Sequence, residues 1–428
     1  MKYLPISKEL FENNRAIFKA QISQQSLAVF CSNDQMPTNA DGTMPFKQNS
    51  DLFWLSGVDQ EESKLLLFPG SSKPEHQEIL FLKETNENIA IWEGEKLNKK
   101  QAYRTSGVET VYWNSDFERV LEELMNDAKT VYLNSNDHAR SKSKVQTQTD
   151  RFNDWCKAKY NDKEYVKSAP ILHDIRSVKH HIEIALLQQA CNITEKGFNR
   201  VLDFVKPGVM EYEIEAEFMH EFLINRSKGF AYEPIIASGK NACVLHYINN
   251  NKECKDGEVI LMDVGAEYAN YASDMTRCIP VNGRFTTRQR QVYNAVLRVM
   301  KEASSMLRPG VFLADYHKEV GLIMQSELIG LGLIDRHDIE KQEPDNPAYR
   351  KYFMHGTSHF LGLDVHDVGR FDKPIKEGMV FTCEPGIYIL EEKLGVRLEN
   401  DIVITKEKPF DLMANISIEA DEIEGLMN

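Results

Sequence analysis

Gly257-Glu258-Val259-Ile260-Leu261-Met262-Asp263-Val264-Gly265 is the stretch on which the reading of this chain turns. The unbroken apolar run from Val259 to Met262 is that of a strand covered on both faces, and it ends on a carboxylate. The arrangement returns in Gly378-Met379-Val380-Phe381-Thr382-Cys383-Glu384-Pro385-Gly386, again with an acid six residues after the first glycine and a glycine two residues later. A second acid follows in each copy, Asp274 and Glu399, and a histidine precedes each first glycine, His246 and His366. One such match is common by chance, whereas several in the same order indicate an internal repeat.

Upstream of both copies the pattern extends. A helix closes on Lys206-Pro207-Gly208-Val209 in the first and on Arg308-Pro309-Gly310-Val311 in the second, and each turn opens another amphipathic helix. Thr286 and Gln289 form a capping box ahead of Val292, Val296, Val299 and Ala303 on one helical face. After the turn, Ala314, Val320, Ile323 and Leu328 continue the apolar pattern. If the copies pack about a pseudo-twofold axis, their acids meet in one central cleft with room for two cations.

Asp274 lies on the segment Tyr271 to Pro280, read as the antiparallel neighbour of the first strand. Arg397 and Glu399 stand two apart in the strand-like run Val396 to Thr405, which puts both on one face with Leu398 opposite. The segment from His355 to His366 adds His355, His359 and His366, with glycines that allow close backbone approach. Four carboxylates converging beside one arginine cannot all stay ionised in a buried cleft, because like charges raise one another's pKa. Two divalent ions remove the conflict. Oxygen-rich ligation with one imidazole suits Mn and accepts Co, Fe or Zn, and two such ions activate water for hydrolysis. Taken singly, each acid also fits a hydrogen-bonded strand end, His355 and His366 fit structural histidines, and Arg397 fits a salt-bridge partner.

Residues up to about 170 alternate β-rich and helical runs, as an α/β domain does. The strand expectations are Leu27–Cys31, Lys64–Phe68, Glu78–Leu82, Ala90–Trp92 and Val131–Leu133, with Trp92 as a buried strand residue. The polar stretch Lys157 to Ser168, followed by Ala169-Pro170, marks the expected domain boundary. A length of 428 residues suggests two or three domains, and 42% hydrophobic with 27% charged residues excludes a disordered chain. A net charge of -14 disfavours nucleic acid as partner. Seven scattered cysteines without paired spacing read as reduced, packed thiols. The amino terminus has no apolar signal core and no segment reaches the ~18 apolar residues of a membrane span, so the expected location is the cytoplasm, with no membrane partner.

At these residues the sequence resembles the pita-bread metallopeptidases, most closely the Xaa-Pro aminopeptidases. The matching stretches are Leu245-His246-Tyr247, Met262 to Ala266, Ser273-Asp274-Met275-Thr276-Arg277, His355 through Asp367, Glu384 to Tyr388 and Val396 to Asp401. In the first half, Gln48-Asn49-Ser50-Asp51 and Ile91-Trp92-Glu93-Gly94 look like that family's amino-terminal domain. The resemblance implies an α+β architecture: an amino-terminal creatinase-like α/β domain over 1–172, then a pita-bread dinuclear metallopeptidase domain over 173–428 with its pseudo-twofold repeat. It implies that Asp263, Asp274, His359, Glu384 and Glu399 hold two metals, with Asp274 and Glu399 bridging and Glu384 also the general base. His246 and His366 would flank the scissile bond, His355 would line the proline pocket, and Arg397 with Tyr388 would orient the site. The implied substrates are peptides with proline second. A homo-oligomer, dimer or tetramer, is implied too, with the tryptophan matching Trp92 approaching a neighbour's cleft. The loop Arg370 to Lys376 is shorter than in typical bacterial relatives and lacks their arginine-rich segment, a departure that bears on contacts beyond the proline.

Three alternatives share the architecture. A prolidase uses the same ligands on Xaa-Pro dipeptides, a non-catalytic pita-bread module binds partners without them, and creatinase-like amidinohydrolases work without metal.

Overall fold

The run Ser26–Cys31 is buried at every position, which an alternating half-exposed strand would not be. The reason lies in the layers around it. In the computed structural model, which describes residues 2–343 and 345–428, the chain divides into two units: Pro5–Arg176, and Ser177–Asn428 together with residues 2–4.

The first unit is a six-stranded mixed sheet of β1 (Ser26–Cys31), β2 (Lys64–Leu67), β3 (Glu78–Leu82), β4 (Thr110–Trp113), β5 (Thr130–Leu133) and β6 (Glu164–Lys167). The order is β4-β3-β2-β1-β5-β6. Leu27 and Val29 point to one face, where they pack with Phe81, Phe117, Leu121 and Leu124. Phe30 points to the other, edge-on to Phe18 at 5.4 Å between ring centroids. The Gln48 to Asp51 stretch does structural work here: the Gln48 amide donates to the carbonyls of Val58 and Gln60, and the Asn49 side chain caps helix Ser50–Ser56. Asp51 accepts from the buried Arg176 at 2.6 Å.

One expectation fails in this unit. Ala90–Trp92 is not strand but part of helix Glu87–Glu93, begun by an Asn86 cap, and Trp92 is 88% exposed. The polar cap outweighs the β propensity of a short apolar triplet. The stretch Lys157 to Ser168, expected to mark the domain boundary, finishes helix Gln148–Lys159 and then supplies β6, the edge strand paired in parallel with β5, within a first unit that ends at Arg176. Charged residues belong on an edge strand, where they deter further pairing.

The second unit repeats one connection twice. Helix His181–Phe204 ends in the turn at Gly208, and helix Thr287–Met306 in the turn at Gly310, with φ of 96° and 91°. Only glycine adopts such values without strain. In the first copy the Gly208 N–H donates to Cys254 O at 2.9 Å and the Cys254 N–H to Val209 O at 2.8 Å. In the second, Gly310 donates to Ile375 O at 2.9 Å and Ile375 to Val311 O at 2.8 Å. Helices Glu211–Ile224 and Leu313–Gly330 follow. Thr286 and Gln289 form the expected capping box, and Val292, Val296, Val299 and Ala303 are all buried. Past the second turn the buried face is Leu313, Tyr316, Val320, Met324 and Leu328, not the expected set; Ala314 is exposed and Ile323 only half-buried.

Each copy then forms an antiparallel pair. With β7 (Ile235–Ser238), β8 (Val259–Val264), β9 (Glu267–Tyr268), β10 (Tyr271–Ala272) and β11 (Met275–Pro280), the first copy sets β8 between β7 and β11. With β12 (Val380–Cys383), β13 (Gly386–Ile389), β14 (Leu394–Arg397), β15 (Asn400–Val403) and β16 (Phe410–Asp411), the second sets β15 between β12 and β16. The expected single strand over Val396 to Thr405 is thus broken at Leu398 and Glu399, between β14 and β15. All seven cysteines are free. No described helix is long and apolar enough to cross a membrane.

Glycines in the first copy are needed for different reasons. At Gly265 a Cβ would sit 1.8 Å from the Ser273 carbonyl oxygen, whereas Gly257, with φ of 79°, has open space around it. Gly265→Ala is expected to destabilise by about 3 kcal/mol through forced backbone displacement, and Gly257→Ala by about 1 kcal/mol through left-handed strain alone. Thermal melts of the two variants check this; equal losses would contradict it.

Candidate metal centre

Strand ends deliver the acids. Asp263 sits opposite Thr276 in the β8 and β11 ladder, Asp274 immediately precedes β11, Glu384 follows β12 and Glu399 precedes β15. The seam between copies holds them in register: the Glu399 N–H donates to Thr276 O at 3.1 Å, and the Asp274 N–H to the Asp401 carboxylate at 3.0 Å. Arg277, fully buried, donates to Glu399 O at 2.7 Å and to Asn400 Oδ1 at 2.7 Å.

The acids and His359 then converge. Asp274, His359 and Glu399, all buried, each offer an atom within 4.8 Å of the others. His359 Nε2 lies 3.4 Å from Asp274 Oδ2 and 3.6 Å from Glu384 Oε1. Its Nδ1 donates to Phe360 O at 2.9 Å, since a carbonyl can only accept. That bond turns Nε2 toward the carboxylates. The Tyr232 hydroxyl reaches Asp263 Oδ1 at 2.7 Å and Asp274 Oδ1 at 2.5 Å.

Arg397 is the counter-charge within this group. It donates to Asp263 Oδ2 at 2.5 Å, to Thr276 Oγ1 at 3.0 Å and to the Tyr388 hydroxyl oxygen at 2.9 Å. Thr276 Oγ1 in turn donates to Glu399 Oε2 at 2.6 Å. Arg397 and Glu399 therefore meet through Thr276, although the strand expected to carry both is interrupted. His355 is fixed by the same arginine at one remove. Its Nδ1 donates to Gly356 O at 2.8 Å, so its Nε2 accepts from Tyr388 at 2.8 Å.

Charge explains the titration. Burial pushes Glu384 up to about 7, with Asp274 and Asp263 adding to the rise and His359 and Arg397 opposing it. Burial likewise raises Asp263, against the pull of Arg397, and raises Glu399 well above the usual range, with Asp274, Glu384 and Asp263 reinforcing. His359 is raised even though burial lowers it, because Asp274 and Glu384 face its Nε2. His355 is lowered to about 4 by burial and by Arg397, so it is neutral near pH 7. A cluster that holds protons on its acids and imidazole is one whose donor atoms lack positive charge. Divalent cations supply it, and the oxygen-rich set with one imidazole fits them.

The remaining histidines stand at the border. His366 is half-buried, edge-on to His359 at 4.4 Å between centroids. His246 is exposed beyond the turn Gly239–Cys243, within electrostatic reach of His355. Sequence reasoning gave no role to Tyr232, Thr276, Arg277 or Asp401. Three of these lie in motif stretches quoted above, but nothing in the sequence foretells which oxygen a hydroxyl or guanidinium will find. Tyr232 stands outside every motif and had no signal.

With this geometry in place, comparison is informative. Residues 185–406 match metallopeptidase family M24, and residues 11–132 match the aminopeptidase P N-terminal domain. The chain belongs to metallopeptidase family M24, and so it is a peptide hydrolase that uses divalent metal ions. It is 33% identical to the Xaa-Pro aminopeptidase of Escherichia coli over 435 residues, 99% of this chain and 98% of the relative. It is 34% identical to the Xaa-Pro aminopeptidase of Haemophilus influenzae over the same shares. Zinc-substituted E. coli aminopeptidase P in complex with product superposes with a TM-score of 0.88 at 33% identity, covering 99% of each chain.

The pKa shifts make a signed expectation. Carboxyls raised on folding hold more protons folded than unfolded, so without metal their contribution is fully present below the unfolded pKa and is lost as pH rises through the folded values, about 7 for Glu384. Metal competes with those protons. The melting-temperature difference between Mn-loaded and chelated protein is therefore expected to widen from about pH 5 to about pH 7.5, as calorimetry at each pH would register; a gap that narrows would contradict this origin.

Proposed function

We propose that this chain hydrolyses the first peptide bond of substrates whose second residue is proline, releasing the amino-terminal residue. The observation that carries the reading is the convergence of four acids and one imidazole from two copies of one motif beside a neutral His355, Tyr388 and Arg397. Similarity to Xaa-Pro aminopeptidases along the whole chain supports it. In this reading residues 1–172 form the creatinase-like amino-terminal domain and 173–428 the catalytic domain.

Asp263, Asp274, His359, Glu384 and Glu399 would hold two divalent ions, Mn by preference. Bound there, the ions supply Lewis-acid activation of water and of the substrate carbonyl. Glu384 takes the proton of the attacking water at its carboxylate and so acts as general base. His366 and His246 face the scissile bond, stabilise the charge developing on the carbonyl oxygen and help protonate the leaving proline nitrogen. Arg397 holds the Tyr388 oxygen, Tyr388 holds His355, and the neutral imidazole offers an uncharged wall to the proline ring. An Xaa-Pro bond has no N–H, so a site that reads ring shape replaces the backbone grip used on other peptides. The finer expectations are a homo-oligomer and a cytoplasmic location, with no nucleic acid or membrane as partner.

Glu384→Gln is expected to lower kcat on an Xaa-Pro-Yaa tripeptide by about 10²–10⁴-fold, while chelation abolishes activity and Mn or Co restores it. Activity that survives chelation would refute the metal assignment. Cleavage confined to Xaa-Pro dipeptides would make the chain a prolidase instead.

A further inference from the structure

His359 and His366 stand on one loop but are held by different means. His359 is laddered onto β12: its N–H donates to Thr382 Oγ1 at 3.2 Å, its carbonyl accepts from the Thr382 N–H at 3.0 Å, and the Leu361 N–H donates to Val380 O at 3.1 Å. His366 lies beyond that ladder, on the returning limb of the loop. The limb is closed at its neck by the Asp367 N–H, which donates to Phe360 O at 2.9 Å, the same carbonyl that takes the His359 Nδ1 proton.

An ion pair outside the acidic cluster grips this limb. Lys179 Nζ donates to Asp367 Oδ2 at 2.7 Å, and the two side chains are only 2% and 1% exposed. Lys179 is among the first residues of the second unit, ahead of helix His181–Phe204, and its own N–H donates to Gly378 O at 2.8 Å, just before β12. One residue therefore holds the entry to β12 by its backbone and the His366 limb by its side chain. Gly362 lets the pair close: a Cβ there would lie 2.1 Å from Asp367 Oδ2 and 2.7 Å from Lys179 Nζ. The Gly362 carbonyl accepts from the Ala272 N–H at 2.8 Å, which ties the loop to the segment leading into Asp274. Glu183, also buried, accepts from the Tyr271 hydroxyl at 3.0 Å and from the His180 N–H at 2.9 Å; burial raises its carboxyl and Lys179 opposes the rise. A buried pair contributes little net stability, because desolvation offsets the attraction of its charges. Its short contact instead fixes where the limb can sit.

We propose that Lys179 is a positioning residue for His366: through Asp367 it fixes the limb on which His366 meets the scissile bond, without acting on the metal ligands. The inference rests on the role given to His366 in the proline-directed reading. Without the pair, the ladder that carries His359 stays in place and His366 loses its alignment.

Lys179→Met combined with Asp367→Asn removes both charges at similar volume, whereas replacing Lys179 alone would strand a buried carboxylate. In the Mn-loaded full chain acting on Ala-Pro-Ala, kcat is expected to fall about 10- to 100-fold with KM held within about twofold. Mn affinity, followed by calorimetric titration, should not change. In a His366→Ala background the same two substitutions should lower kcat by less than about twofold, because a residue acting through another adds nothing once that other is gone. Asp367→Asn alone keeps an acceptor for Lys179 and leaves the cation facing Glu183, so the loss should shrink to about threefold to tenfold. If the doubly substituted chain does not fold, this milder variant carries the comparison: a loss seen with His366 and absent without it upholds the proposal. Equal losses in both backgrounds, or Mn affinity falling in step with kcat, would overturn the positioning role while leaving that of His366 standing. Native kcat in His366→Ala itself would overturn the role of His366 and the proposal with it.

Discussion

Carboxylates that repel one another are held in a common buried cleft, and everything around them follows from what holds them there. The seam between the two copies of the repeat does so with uncharged backbone and hydroxyl groups: Glu399 N–H to Thr276 O, Asp274 N–H to Asp401, and Thr276 Oγ1 to Glu399. Such bonds cannot neutralise the charge. Arg397 offsets part of it and Arg277 braces the backbone behind it, but one guanidinium facing four acids leaves a deficit that protons or divalent cations must fill.

The repeat explains why the site needs so few special features. The same turn, with a glycine at positive φ and the same paired backbone bonds, launches each copy's second helix. Each copy then delivers acids at the ends of two neighbouring strands, so bringing the copies together gathers donors from both sides. Differences between copies supply what symmetry cannot. The Arg397, Tyr388 and His355 relay belongs to the second copy. One side of the cleft is consequently equipped differently from the other, as an enzyme acting on a directional chain requires.

The expectations that failed did so where short-range pattern was weighed without context. Ala90–Trp92 has strand-like composition, yet the Asn86 cap makes it helical and leaves Trp92 in solvent. Lys157 to Ser168 is polar in part because it supplies an edge strand. Ala314 continues the apolar pattern along the sequence yet faces outward, because Leu313 occupies the inward position of that turn.

The sequence by itself determined the ladder of apolar strands ending in acids, the capped helices and the doubled turn motif. Each of these depends on local periodicity, a φ requirement or a repeated order of residues. Only the tertiary structure decided that β14 and β15 are separate strands, that Tyr232 reaches two aspartates, and that Thr276 joins Arg397 to Glu399. Those outcomes depend on which groups are brought within about 3 Å of each other across long stretches of chain, a distance that no local pattern encodes.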